Sequence, residues 1–221
     1  MDFVKELKRV LDENSDKKAA EPMAAYMKNL FPYLGIRNEK RKGILKPIWN
    51  EHSAEIKSDY RNIALELWKL PEREFHYCAM EILYKEIKNR YEKEDIGLIE
   101  KLLTTHSWWD SVDFLAKHIL GNYLLAFPDE IPKVVKRFSD SENMWLNRSV
   151  ILFQLGYKSK TNEKLLFGEC RKHASNKEFF IPKAIGWALR EYAKTNPEAV
   201  VEFVSKNRLS PLSKREALKN L

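Results

Sequence analysis

Residues 107 to 113 read SWWDSVD, a stretch whose residue types and spacing suit chemistry on positive charge. On a helix, Trp109 and Asp113 stand one turn apart on the same face. A carboxylate attracts a cation directly, and an indole face attracts it through its negative quadrupole. Further charged and aromatic side chains follow at matching positions: Arg148, Lys183, Trp187 and Arg190. Plainer roles fit the same residues. Trp109 suits packing at the edge of a core, Asp113 suits a salt bridge to Arg148, Trp145 and Trp187 have core readings, and Lys183 and Arg190 suit solvated charge.

The elements that must position these residues read as helices almost throughout. Glycine is scarce at seven, strand-like alternation is nearly absent, and apolar residues recur three and four apart. Phe3, Leu7, Val10 and Leu11 begin this pattern, and Pro71 opens another helix through PEREFHYCAMEILYKEIKNRY. PDEIP at 128 to 132, SDSEN at 139 to 143, KTNE at 160 to 163, TNPE at 195 to 198 and LSPLSKRE at 209 to 216 are short breaks with capping residues or early-helix prolines. The helical pattern of KREALKNL runs to the last residue. A dozen or so helices follow, joined by short turns with no linker to separate domains.

A slide of 35 residues superposes Met80, Leu115, Val150 and Ile185, each in an apolar neighbourhood. A repeat of that length marks paired-helix solenoids of the HEAT or TPR kind. Two positions before each anchor sit Cys78, Asp113, Arg148 and Lys183, so three successive units place charge at one equivalent site. Helical spacing adds Trp109, Trp187 and Arg190 to the same stripes. Within SWWDSVD, the 4-3-4 series Trp108, Val112, Leu115 and Ile119 faces the core, while Trp109 and Asp113 share the neighbouring face. Asp110 reads as a first-turn acid and Ser107 as the helix cap.

The 221 residues, 44% hydrophobic, suffice for a substantial core and read as one domain spanning 1–221. A net charge of +7 and a pI near 9.2 favour an anionic partner: nucleic acid, a membrane surface or an acidic protein. Cys78 and Cys170 stand in no CxxC spacing, which indicates neither a disulfide framework nor a zinc ribbon and fits a reducing cytoplasm. His106, His118 and His173 are scattered, so neither metal nor cofactor is expected. With no apolar run long enough to span a membrane and no signal core, a soluble, cytoplasmic protein is expected.

The segments AEPMAAYMKNLFPYLGI, ELWKLPEREF, SWWDSVD, MWLNRSVILFQLGYK, KEFFIPKAIGWALREYAKTNP and PLSKREALKN resemble the bacterial AlkD-type DNA alkylation repair glycosylases from about residue 20 onward. The resemblance implies an all-α solenoid of HEAT-like antiparallel helix pairs, a curved superhelix with a basic concave groove. It implies hydrolysis of the N-glycosidic bond of N3- and N7-alkylated purines, such as 3-methyladenine and 7-methylguanine, in double-stranded DNA. An abasic site remains, and bulky adducts are tolerated because the lesion base is not flipped into a pocket. Catalytic roles pass to Asp113, Trp109 and Trp187, and backbone contacts to Arg148 and Arg190. Lys183 joins them by spacing alone, and nothing places its amine near the anomeric carbon for a lyase step.

Tyr26, within EPMAAYMKN, is a further duplex contact, with packing an equal role. Arg37, after LGI, is another, although relatives commonly carry an uncharged polar residue there. The enzyme is expected to be monofunctional and monomeric, without cofactor, metal, membrane or obligate protein partner. The alternative from another class is a non-catalytic helical-repeat protein that binds DNA structures.

Overall fold

The computed structural model of the chain describes residues 1–219 and Leu221, so Asn220, in the closing KREALKNL stretch, lies outside the described residues. Those residues form helices and turns with no strand, as the sequence pattern requires. None of these helices is long and apolar enough to cross a membrane. The chain divides into two compact units, Met1–Tyr91 and Glu92–Leu221.

The first unit contains α1 (Asp2–Glu13), α2 (Lys17–Tyr26), α3 (Asn38–Glu51), α4 (Ser53–Trp68) and α5 (Arg73–Glu86). Phe3, Leu7 and Leu11 recur every fourth residue on α1 and are fully buried, which fixes the face it turns to α3 and α4. Asp16 caps α2 by accepting from the amides of Lys18 at 3.0 Å and Ala19 at 3.2 Å. Between α2 and α3 the backbone takes a positive φ of +84° at Gly35, where a Cβ would meet the Asp16 carbonyl oxygen at 2.0 Å. The buried Glu74 carboxylate holds this turn, accepting the amides of Leu34, Gly35 and Ile36, each at 3.0 Å. Beside it the Arg73 guanidinium lies 4.0 Å from the Phe31 ring centre.

The second unit begins with α6 (Asp95–Thr104) and α7 (Trp109–Phe114). A π-helical segment (Leu115–Leu120) then continues into α8 (Gly121–Ala126). After it come α9 (Ile131–Ser139), α10 (Met144–Leu152), α11 (Glu163–Lys172), α12 (Phe180–Ala193), α13 (Pro197–Lys206) and α14 (Pro211–Ala217). The breaks supply the expected caps. The side chains of Asn143, Asn162, Asn196 and Ser210 accept from the amides of Trp145, Leu165, Ala199 and Ser213. Leu115, Val150 and Ile185, the anchors of the 35-residue repeat, are all buried. Burying side chains of this size contributes about 1.5–3 kcal/mol each.

The last turn of this unit depends on a close approach. A Cβ at Gly186 would meet Glu216 Cβ at 2.5 Å and the Ser213 carbonyl oxygen at 3.0 Å, so only glycine lets α14 lie this near α12. The Ser213 hydroxyl then donates to the Pro182 carbonyl at 2.8 Å.

Candidate active site on three helices

Asp113 sits near the end of α7, one turn beyond Trp109, the first residue of that helix. Trp108, with extended φ −155° and ψ 165°, occupies the cap position without a side-chain cap bond. Ser107 is therefore not the cap that the sequence suggested. Its hydroxyl donates to the Leu103 carbonyl at 2.7 Å, finishing the preceding helix instead. Asp110 lies in the first turn, as its type favours. Three of the four residues of the core stripe are as read: Val112, Leu115 and Ile119 are fully buried. Trp108 is partly buried and packs edge-on against Trp145 at 5.6 Å and Phe180 at 4.9 Å. The π segment starts directly after Phe114 and widens the turn below Asp113, an irregularity often found at functional sites.

Asp113 is held by both oxygens. Arg148 on α10 donates from Nε to Oδ1 at 2.7 Å and from Nη2 to Oδ2 at 2.9 Å. Its remaining nitrogen, Nη1, donates to the Phe180 carbonyl in the first turn of α12. One guanidinium thereby ties α7, α10 and α12 together with its planar fork. The Arg148 side chain is 4% exposed and Asp113 is 15% exposed. Burial pushes the Asp113 carboxyl above its ordinary range, against the opposing pull of the Arg148 bonds and charge. Asp110 adds to the upward push and the Lys183 charge opposes it.

The other sequence-chosen residues divide. Lys183 is exposed on α12, with its Nζ 5.5 Å from the Phe179 ring centre. Trp187, one turn further on, is partly buried and packs against the core of the second unit. Arg190 donates from Nη1 to Glu216 Oε2 at 2.6 Å, and this bond holds the Glu216 carboxyl below its ordinary range. Tyr26 is 69% exposed at the end of α2, and Arg37 is exposed just before α3, both in the first unit.

Sequence reasoning gave Trp108 and Trp145 packing roles but missed Phe180, which completes an aromatic wall with them, and Phe179, 57% exposed beside it. The paired phenylalanines of KEFFIPK were the signal for these two.

This arrangement presents a carboxylate that its arginine favours in the ionised form, reachable from solvent and flanked by aromatic surface. It suits the stabilisation of positive charge. Thiol chemistry is disfavoured, because burial pushes Cys78 up to about 11 and raises Cys170 as well.

A family model described as DNA alkylation repair enzyme matches residues 7–221. The chain is also similar to a solved structure described as a predicted DNA alkylation repair enzyme from Enterococcus faecalis. The two are 33% identical over 94% of this chain and 96% of that one, with a TM-score of 0.85. The crystal structure of smu.31 from Streptococcus mutans UA159 is similar at 14% identity over 82% of this chain and 99% of that one. Its TM-score of 0.58 makes this a likeness of fold. No curated protein matches the chain.

Proposed function

The chain belongs to the DNA alkylation repair enzyme family, whose role is the repair of alkylated DNA, and from that premise we propose that it is a monofunctional DNA glycosylase acting on N3- and N7-alkylpurines in duplex DNA. The observation that carries this reading is the Asp113 carboxylate, buried enough to act in low dielectric, still 15% exposed, and oriented through both oxygens by Arg148.

An alkylated purine of this kind is already cationic. When the bond from C1′ to the ring nitrogen breaks, the base keeps the electron pair and leaves neutral, with no proton needed. Positive charge passes to the sugar as an oxocarbenium ion. Asp113 lowers the energy of that charge and accepts a hydrogen bond from the water that adds to C1′; the water's proton goes to solvent. The faces of Trp109 and Trp187 favour the same charge by about 0.5–1 kcal/mol each at exposed sites, and about 2 kcal/mol when desolvated.

In this reading Arg148, expected from the resemblance to contact the DNA backbone, acts first as a positioning residue, since each of its nitrogens bonds Asp113 or Phe180. Lys183 holds phosphates of the lesion strand, together with Arg190 through the N–H groups that its Glu216 pair does not use.

The test is release of free base from duplex DNA carrying 7-methylguanine or a bulkier N7 adduct. Asp113→Asn should slow release by roughly 10²–10³-fold, the scale of a lost electrostatic contact to the transition state. Background-level release by the wild type would sink the glycosylase reading, and duplex binding without release would return the non-catalytic one.

A further inference from the structure

The first unit holds a cluster of metal-ligating side chains that Asp113 and its neighbours do not use. Glu6 on α1, Glu51 at the end of α3 and His52 at the α3 to α4 junction bring two carboxylate oxygens and an imidazole nitrogen within 4.8 Å of one another. His52 Nε2 lies 2.7 Å from Glu6 Oε2, and His52 Nδ1 lies 3.2 Å from Glu55 Oε2. Glu55 is itself held, accepting the Phe3 amide at 3.0 Å. The His52 backbone is anchored too, donating to the Ile48 carbonyl and accepting from the Ile56 amide, each at 3.0 Å.

Two features of this cluster point to a cation. In the metal-free chain His52 Nε2–H donates to Glu6 and Nδ1–H to Glu55; a metal ion takes the place of the Nε2 hydrogen while Nδ1–H stays on Glu55, and a carboxylate behind the far nitrogen is how ligating histidines are commonly oriented. Three carboxylates also gather around one imidazole without a compensating lysine or arginine. Among the described residues, Lys5 pairs with Asp2 and Arg9 with Glu13, while Glu51 has no ion-pair partner.

We propose that Glu6, Glu51 and His52 bind one divalent transition-metal ion, pinning α1 to the α3 to α4 junction. One nitrogen and two carboxylate oxygens fit Zn²⁺, with water completing the set, better than Mg²⁺ or Ca²⁺, which take six or more oxygens. Zinc bonds of about 2.0–2.2 Å put tetrahedral ligand atoms about 3.4 Å apart. Glu6 opens slightly from 2.7 Å to reach that spacing, and Glu51, exposed at its helix end, swings in. Glu55 stays behind the ring as the orienting carboxylate.

The experiment titrates Zn²⁺ into the full, tag-free chain after chelator treatment, by calorimetry, with thermal unfolding and the visible spectrum of the Co²⁺ form as second readouts. One ion per chain should bind with micromolar or tighter affinity and raise the unfolding temperature. Glu51→Gln, at an exposed position, should weaken binding at least tenfold and abolish the tetrahedral Co²⁺ absorption, and Glu55→Gln should weaken it by about 10–100-fold. Metal-free unfolding of both variants checks that they fold. Binding weaker than micromolar, or affinity unchanged by Glu51→Gln in a folded variant, would overturn the site.

Discussion

Replacing Arg148 with methionine keeps most of the stem and removes the fork that grips Asp113. The structure gives the consequence a size. Arg148 is 4% exposed and its partner 15% exposed, so the remaining carboxylate is left with most of its surface away from water. Removing one partner of such a buried pair costs about 3–5 kcal/mol, well above the 0–1 kcal/mol of a surface pair.

The penalty should depend on pH. Burial already raises the Asp113 carboxyl, and without Arg148 only the more distant Lys183 opposes that push, so the folded-state value climbs further. An acid whose folded pKa is raised stabilises the fold in its protonated form. That contribution is complete below the unfolded value of about 3.9 and is lost as pH rises through the folded value. The deficit of Arg148→Met should therefore be smallest near pH 4 and largest at neutral pH, and excision by the variant should recover as pH rises and Asp113 ionises.

Urea unfolding of Arg148→Met, Asp113→Asn and the double variant across this range is the assay. The double variant, which buries neither lone charge, should be more stable than the two single losses sum to, by about 2–3 kcal/mol. A pH-independent deficit under about 1 kcal/mol, with no coupling, would refute the reasoning, because Asp113 and Arg148 would then behave as a solvated pair.

Other outcomes follow from the same geometry. Arg190→Ala should weaken duplex binding and reduce its salt slope by about one; an unchanged slope would leave Arg190 only its clamp on Glu216. Gly186→Ala drives a Cβ into Glu216 and Ser213, so urea unfolding should show a loss of about 1–3 kcal/mol, and equal stability would contradict the close approach of α14. Glu74→Gln removes the charge that holds three amides and should cost about 1.5–3 kcal/mol, with faster hydrogen exchange at Leu34, Gly35 and Ile36; unchanged exchange would show that the turn holds itself.

Much of this was legible because helices announce themselves locally. Apolar spacing separated Val112, Leu115 and Ile119 from Asp113, and the capping residues marked the breaks. The 35-residue repeat aligned Asp113 with Arg148 because equivalent positions on successive repeats become neighbours. Spacing could not say whether those neighbours pair or both face a ligand, since that depends on rotamers and burial. The π segment after Phe114 was hidden for a different reason: LAKHIL has nothing in its composition to mark a five-residue hydrogen-bond register. Glu74 read as one more charge on a helix, and its work as a cap for a loop 38 to 40 residues away exists only in the folded chain. Phe179 and Phe180 were similarly ambiguous, one 57% exposed and the other lending its carbonyl to Arg148.

The Arg148 clasp raises an apparent contradiction: a residue meant to stabilise a cation is already neutralised by one. The resolution lies in protonation and lone pairs. In a pocket this dry, an unpaired carboxylate would take up a proton and lose its charge altogether. Arg148 prevents that by favouring the ionised form, which matters more to the proposed reaction than the field it cancels. The clasp also uses one acceptor position on each Asp113 oxygen and leaves each with another. Those remaining positions, on the 15% of the side chain still open to solvent, suit the attacking water and the charged sugar edge. An arginine fixed from behind is therefore compatible with electrostatic catalysis in front, provided the fork stays planar and bidentate. Lysine cannot do this: Arg148→Lys would supply the charge through a single point, leave one Asp113 oxygen unheld and abandon the Phe180 carbonyl. Base release by Arg148→Lys should accordingly fall far below that of the wild type while the variant remains better folded than Arg148→Met; wild-type release would show that charge alone, without the fork, is what Asp113 requires.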